Sequence, residues 1–348
     1  MRTARKYLIL PFVVSALVLG AVFLWGGTSA LIIAAILAAL EVTLSFDNAI
    51  VNAKVLEQMS PAWQQRFLTW GILIAVVGVR LILPVIIVSA VTMISPITIG
   101  MMAFYDPTRY AELVAQVRPS IEAFGGVFLL MIALRYFFDE AKRVHWIHII
   151  ERRLCRWGRI EAIEAAIALV VLMFAASHSH ASPYTILTSG VIGLIVFVFV
   201  DGITVLLDSA AGLEPRRNGT GVTTRSITHT AASSAVLFVY LEMVDVAFSL
   251  DGVMGAFALT ILVPVMVAGL GIGAYFVRSL TVAFVEGGTL KELRYLEHGA
   301  HYAIGALALS MLASLWIEVP EWLVAGTSIV IIALAYLSSR LSIREATI

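Results

Sequence analysis

Glu41-Val42-Thr43-Leu44-Ser45-Phe46-Asp47-Asn48 and, 204 positions later, Asp245-Val246-Ala247-Phe248-Ser249-Leu250-Asp251 share one pattern: acid, Val, any residue, apolar, Ser, aromatic or aliphatic, Asp. Each copy sits inside a long apolar run, where an uncompensated carboxylate is costly. One copy alone would be a weak signal. The likeness extends further, because Gly71 stands nine residues before Arg80 and Gly269 nine before Arg278, with apolar residues between. Paired acids followed by paired arginines mark an internal repeat.

Composition gives the repeat its setting. Hydrophobic residues are 60% of 348 and charged residues 13%, against roughly 45–50% and about 25% in soluble domains. The expected fold is an all-α polytopic membrane protein. A crossing of the hydrocarbon core takes about 20 mostly apolar residues. About ten stretches meet that measure: 7–26, 29–53, 67–91, 119–138, 162–180, 185–207, 230–257, 262–284, 299–317 and 322–339. Between them, 93–118 carries Pro96, Gly100, Asp106 and Pro107 and reads as a re-entrant or interfacial piece. Arg2, Arg5 and Lys6 precede an apolar run to Trp25 that is longer than a signal-peptide core, so a retained first span is expected.

Charge orients the bundle. The loop 139–160 holds Lys142, Arg143, Arg152, Arg153, Arg156 and Arg159, the loop 208–228 holds Arg216, Arg217 and Arg225, and the tail holds Arg340 and Arg344. With ten spans these segments and the N-terminus fall on one side, which the positive-inside rule makes cytoplasmic. The opposite connections at 181–184 and 318–321 contain neither Lys nor Arg. The chain then forms a single transmembrane domain over 1–348, with a first repeat at 29–138, a basic cytoplasmic loop at 139–160 and a second repeat at 230–317. Its expected location is a bacterial inner (plasma) membrane. The acidic and basic totals are 23 each, which leaves no net field for nucleic acid. The single cysteine, Cys155, excludes an intramolecular disulfide and a thiolate metal cluster.

In this topology the two motif-bearing spans run in opposite directions, so the repeat is inverted. Inverted repeats commonly build secondary transporters whose sites lie near the midplane. On a helix, Glu41, Ser45, Asn48 and Asn52 share one stripe, as do Glu242, Asp245, Ser249 and Gly252. Asp47 and Asp251 lie about 120° away from the first acid of each motif. Unwinding near Ser45 and Ser249, eased by Gly252 and Gly255, would let all the carboxylates converge.

A carboxylate at the centre of a span costs about 2.5–3.5 kcal/mol on insertion scales. Glu41, Asp47, Glu242, Asp245 and Asp251 would together cost on the order of 10 kcal/mol or more if left uncompensated. Arg80 and Arg278, read as counter-ions, answer for two of the five. Protonation or a bound cation answers for the rest. Carboxylate, amide and hydroxyl donors suit Mg²⁺, Ca²⁺ or Mn²⁺; an alkali cation or protons alone stay open. Candidate metal ligands are Glu41, Asp47, Asn48, Glu242, Asp245 and Asp251, supported by Ser45, Ser249, Arg80, Arg278 and Asp201. Glu161, Glu164 and Asp208 lie near span ends, where charge is cheap. His178 and His180 form a His-x-His pair near an outer end, a spacing more often solvated than ligating. His298 and His301 lie at a span entrance and suit ordinary capping. Met243 and Met254 read as packing.

The two motifs resemble those of the TerC family of integral membrane proteins, in which an acid-x-x-Leu-Ser-x-Asp-Asn element precedes a related Asp-x-x-Phe-Ser-x-Asp element. Arg80 and Gly125-Gly126 are also similar, and the likeness covers roughly residues 30–320. Family members have been associated with manganese export, and less securely with calcium handling and tellurite resistance. The resemblance implies a Mn²⁺-type exporter with Glu41, Asp47, Glu242, Asp245 and Asp251 as ligands. The added first span and the insert at 139–160 depart from the family pattern. So does Asp251-Gly252, where many members carry Asp-Ser.

The expected function is therefore secondary transport of a divalent cation as substrate, with the lipid bilayer and the ion as partners; homo-oligomerisation stays open. No Gly-x-x-x-x-Gly-Lys-Ser/Thr stretch supports ATP drive. No enzyme is expected, since neither His-Glu-x-x-His nor Gly-x-Ser-x-Gly occurs. The alternative is a membrane scaffold of a stress-response or protein-insertion complex, with the acids structural and the 139–160 loop as its docking surface.

Overall fold

The structure, a computed structural model, describes residues 2–140, 142, 144–210 and 231–346. Arg143, Arg216, Arg217 and Arg225 lie outside the described residues, as do the side chains of Arg2, Arg5, Lys6, Asp208 and Arg344. The described residues form helices and no strands. In order these are α1 (Arg2–Leu44), α2 (Phe46–Leu56), α3 (Pro61–Leu73), a π-helical stretch (Ile74–Ile82), α4 (Leu83–Thr92), α5 (Pro96–Tyr105), α6 (Pro107–Phe137) and α7 (His148–Trp157). Then follow α8 (Ile163–His178), α9 (Pro183–Ala210), α10 (Ala231–Leu259), α11 (Val263–Gly287), α12 (Thr289–Glu292), α13 (Leu296–Ala313) and α14 (Glu321–Ala346).

Six helical segments are long and apolar enough to cross a membrane: Ile9–Leu44, Pro61–Thr92, Pro107–Phe137, Pro183–Ile203, Val263–Gly287 and Trp322–Ser342. Large apolar side chains such as Leu17, Leu24, Trp25 and Met93 point outward, while Glu41, Asp47, Arg80 and Arg278 are buried. Apolar outside and charged inside is the arrangement a hydrocarbon solvent demands, and the chain is an integral membrane protein. Helices also cover the other expected spans. Among these, α8 is short, α10 carries Glu242, Asp245 and Asp251, and α13 opens on Glu297, His298 and His301.

The gap expected between 7–26 and 29–53 falls at Gly27, whose φ of 70° and ψ of −164° break α1 into two arms. Both arms pack along α11. On the first, Phe12 meets Phe276 with ring centroids 4.9 Å apart, and the Tyr7 hydroxyl donates to Glu286. On the second, Ala34 and Leu37 close over Gly269. Backbone at Gly27's angles is open essentially to glycine alone.

Two expectations about local structure are corrected. Ser45 interrupts the helix with φ −98° and ψ 15°, yet its N–H still donates to the Glu41 carbonyl at 3.0 Å and its carbonyl accepts from Ala49 at 3.1 Å. That is a kink, not an unwound segment. At Ser249 there is no break at all, since α10 is continuous from Ala231 to Leu259. An uninterrupted ladder satisfies every backbone group in lipid, and Gly252 serves close packing, because a Cβ there would sit 2.8 Å from Glu41 Oε2. Likewise only part of 93–118 stands apart from the spans. The short α5 is separate, but α6 runs from Pro107 through Pro119 to Phe137, so the span expected at 119–138 starts a dozen residues earlier.

The motif helices cross antiparallel. Leu37 clusters with Val253 and Ala256, Glu41 lies against Gly252, Asn48 bonds Asp245, and Ser60 bonds Ser234. Ascending numbers on one side thus meet descending numbers on the other.

Gly27→Val should destabilise the protein in detergent by about 1–3 kcal/mol, the cost of a side chain in such a conformation. Gly20→Val is the control, because no atom lies within 4 Å of a Cβ there. Equal thermal midpoints for the two variants would contradict the role assigned to Gly27.

Candidate functional site

The site begins with a defect in a helix. Pro84 has no N–H to offer the carbonyl of Arg80, and the N–H of Leu83 reaches back five residues to Gly78. The widened π turn spans Ile74–Ile82. Such turns are rare and often sit at functional positions. The widening leaves the Ala75 carbonyl within reach of Arg80, whose Nη1 donates to it at 2.7 Å. The guanidinium is thereby aimed at Glu41, whose Oε1 accepts from Arg80 Nη2.

Arg278 enters from α11. It donates to both oxygens of Glu242, Nη1 to Oε1 at 3.0 Å and Nη2 to Oε2 at 2.9 Å. This fork geometry suits a planar guanidinium. Nη2 also reaches Asp245 Oδ2 at 3.3 Å, and the guanidinium carbon stands 4.4 Å from the centre of the Phe67 ring. Gly71 makes room, since a Cβ there would collide with Arg278 Nη1 and Glu242 Oε1.

Asp245 joins the two halves. Its Oδ1 accepts from Asn48 Nδ2 at 3.1 Å, and its Oδ2 lies 3.3 Å from Arg278 and 3.9 Å from Arg80. Three carboxylates and two guanidiniums, each 8% exposed or less, therefore form one network. Arg80 holds Glu41, the first acid of its own motif, while Arg278 holds Glu242 through both oxygens and also reaches Asp245, the first acid of its motif.

The motif helices also carry buried oxygens without a hydrogen-bond partner among the described residues: Asp47 Oδ2, Asn48 Oδ1, Asn52 Oδ1 and Ser249 Oγ. Asp47 is fully buried, and its Oδ1 accepts only the neighbouring N–H of Asn48 at 2.9 Å. Asn52 stands one turn beyond Asn48 on α2, and Ser249 one turn beyond Asp245 on α10. Ser45 Oγ donates to Glu41 Oε1 at 3.3 Å, and Asp251 is half-buried on α10.

The expected convergence of all five carboxylates is only partly present. Glu41, Glu242 and Asp245 meet, but around arginines. Among the described residues no group of three or more His, Cys, Asp or Glu side chains is arranged to hold a metal. The arginines take the lone pairs that a metal would need.

Asp201 belongs to a different network. It accepts from Arg135 Nη2 at 2.9 Å, and Glu164 lies 3.5 Å from the same guanidinium, linking α6, α8 and α9. Sequence reasoning passed over Arg135 because it sits at the end of a span, where a charge is unremarkable. His178 lies tilted against the Phe174 ring, His298 Nε2 bonds the Val144 carbonyl at 2.9 Å, and His301 stacks on Tyr136 with centroids 3.7 Å apart. Asn52 shares the stripe of Glu41, Ser45 and Asn48, and its burial, which the sequence does not encode, marks it as a further candidate donor. The π turn was signalled only by Pro84 four residues after Arg80.

Residues 46–346 match a family described as "Protein of unknown function (DUF475)". No curated protein and no solved structure matches the chain.

Replacing one member of a buried ion network strands the others, at about 3–5 kcal/mol. Arg278→Met should therefore lower stability in detergent by that order, and adding Glu242→Met should recover part of the loss. Chemical denaturation of both variants measures it. A double variant less stable than the single would show that the two groups do not compensate each other.

Proposed function

The chain belongs to the DUF475 family, and from that premise we propose that it is a secondary transporter exporting a divalent metal cation, with Mn²⁺ as its substrate. The observation that carries the reading is the set of buried, unpartnered oxygens on Asp47, Asn48, Asn52 and Ser249. Desolvated oxygens left without donors are costly, and a hard cation is the partner such donors accept. Asp251 and the three arginine-bound acids Glu41, Glu242 and Asp245 complete the proposed ligand set, the latter on release from Arg80 and Arg278. Five carboxylates against two guanidiniums leave an excess that a divalent ion offsets, with proton exchange on the same groups as the coupling.

The reading extends to architecture. Ten spans with both termini cytoplasmic, related in two halves by inversion, would put Glu41 and Asp245 in equivalent positions. The antiparallel crossing of the motif helices supports that inversion, and the TerC resemblance supplies the choice of manganese. Ca²⁺ and Mg²⁺ use the same donors. A scaffold with purely structural acids is favoured by one observation, the pairing of three of the acids with arginine.

Cells expressing the protein should hold less manganese than cells without it when grown in added Mn²⁺. Asp47→Asn and Asp251→Asn should each return the content to the level without the protein, as read by elemental analysis. Equal manganese content and tolerance across active protein and variants would reject transport and leave the scaffold.

A further inference from the structure

Helix α7 lies in the basic loop, between the end of α6 at Phe137 and the start of α8 at Ile163. Both neighbours are apolar helices, so α7 is tethered to the membrane-crossing region on both sides, by ten residues after α6 and five before α8. Its inner face is pinned to the protein. Glu151, fully buried, accepts the N–H groups of Trp146 at 3.2 Å and Ile147 at 3.1 Å and pairs with Lys142 at 2.9 Å. Cys155 Sγ reaches the Phe137 carbonyl at 3.5 Å, and Lys142 lies 3.9 Å over the Tyr136 ring.

The outer face is the opposite. Ile149 is 74% exposed, Trp157 55% and Ile150 47%, and Arg152, Arg153 and Arg156 are all exposed. At 100° per residue the three apolar side chains occupy one sector of about 100°, with Arg152 and Arg156 along one border and Arg153 inside it. A cytosolic helix gains nothing from presenting Ile and Trp to water. A helix lying in the headgroup layer does, because its apolar side chains enter the acyl boundary while arginines reach phosphate, Arg153 by snorkelling.

We propose that α7 is an interfacial anchor that binds anionic phospholipid, with Ile149, Ile150 and Trp157 inserted and Arg152, Arg153 and Arg156 on lipid phosphates. An acidic protein partner would satisfy the charge, but the double tether to the membrane-crossing region favours lipid. This inference stands on α7 alone and is independent of the cation site.

The test uses the full chain in nanodiscs of phosphatidylcholine, with or without phosphatidylglycerol. A nitroxide is placed at Ile149→Cys in a Cys155→Ser background, and its collisions with a water-soluble nickel chelate are measured. Phosphatidylglycerol should shield the label. R152Q, R153Q and R156Q should each reduce the shielded-to-exposed ratio roughly fivefold, the effect of one basic residue near an anionic surface. These arginines are exposed, so the variants keep the fold. A label equally exposed in both lipid mixtures, or shielded equally in both, overturns the proposal. Shielding that appears only on adding soluble protein also overturns it, in favour of a protein partner.

Discussion

Charge that has lost its water must find a partner inside the protein, and here the partners come from four separated segments of the chain. Glu41 on α1, Arg80 in the π stretch, Glu242 and Asp245 on α10 and Arg278 on α11 share one buried network. None of these helices can leave the bundle without exposing an ion to lipid. Pairing also constrains shape. Arg278 fits only because Gly71 has no side chain, and Glu41 fits only because Gly252 and Gly273 leave it space. The small residues along these helices are thus the steric counterpart of the ion pairs.

Departures from regular helix follow from the same demand. The π turn through Ile74–Ile82 accompanies a second bond to the Ala75 carbonyl, from the Arg80 guanidinium. The kink at Ser45 separates Glu41, held by Arg80, from Asp47, which faces no arginine. Gly27 has another task, reversing the chain so that the two arms of α1 lie against α11. Where nothing needs redirecting, as at Ser249, the helix stays intact despite the glycines that follow.

Much of this was legible in sequence. Acid and arginine were recognisable as partners because both stood in apolar runs at matched spacing, and in lipid such residues have few alternatives to each other. The stripe Glu41, Ser45, Asn48, Asn52 follows from helical geometry, and the break near Gly27 from span length. The partner of each acid was not legible. Whether Arg278 takes Glu242, Asp245 or both depends on helix rotation, which a mean hydrophobic pattern does not encode. For the same reason the sequence reads Asp201 as support for the motifs, whereas Arg135, one helix away, holds it. Nor could sequence tell Asp47 from Asp245, although one is left with a bare oxygen and the other accepts three donors or near-donors.

That difference leaves two kinds of buried acid: Glu41, Glu242 and Asp245 are neutralised by arginine, and Asp47 keeps an oxygen with no hydrogen-bond partner among the described residues. A cation bound at Asp47 and Asn48 would complete the compensation of charge that the arginines leave unfinished. Anomalous scattering from crystals of the protein soaked in Mn²⁺ addresses this directly. The expected result is a peak within coordination distance of Asp47 and Asn48, absent from crystals of Asp47→Asn. A well-occupied soak with no peak between α2 and α10, or an equal peak in the variant, would contradict it.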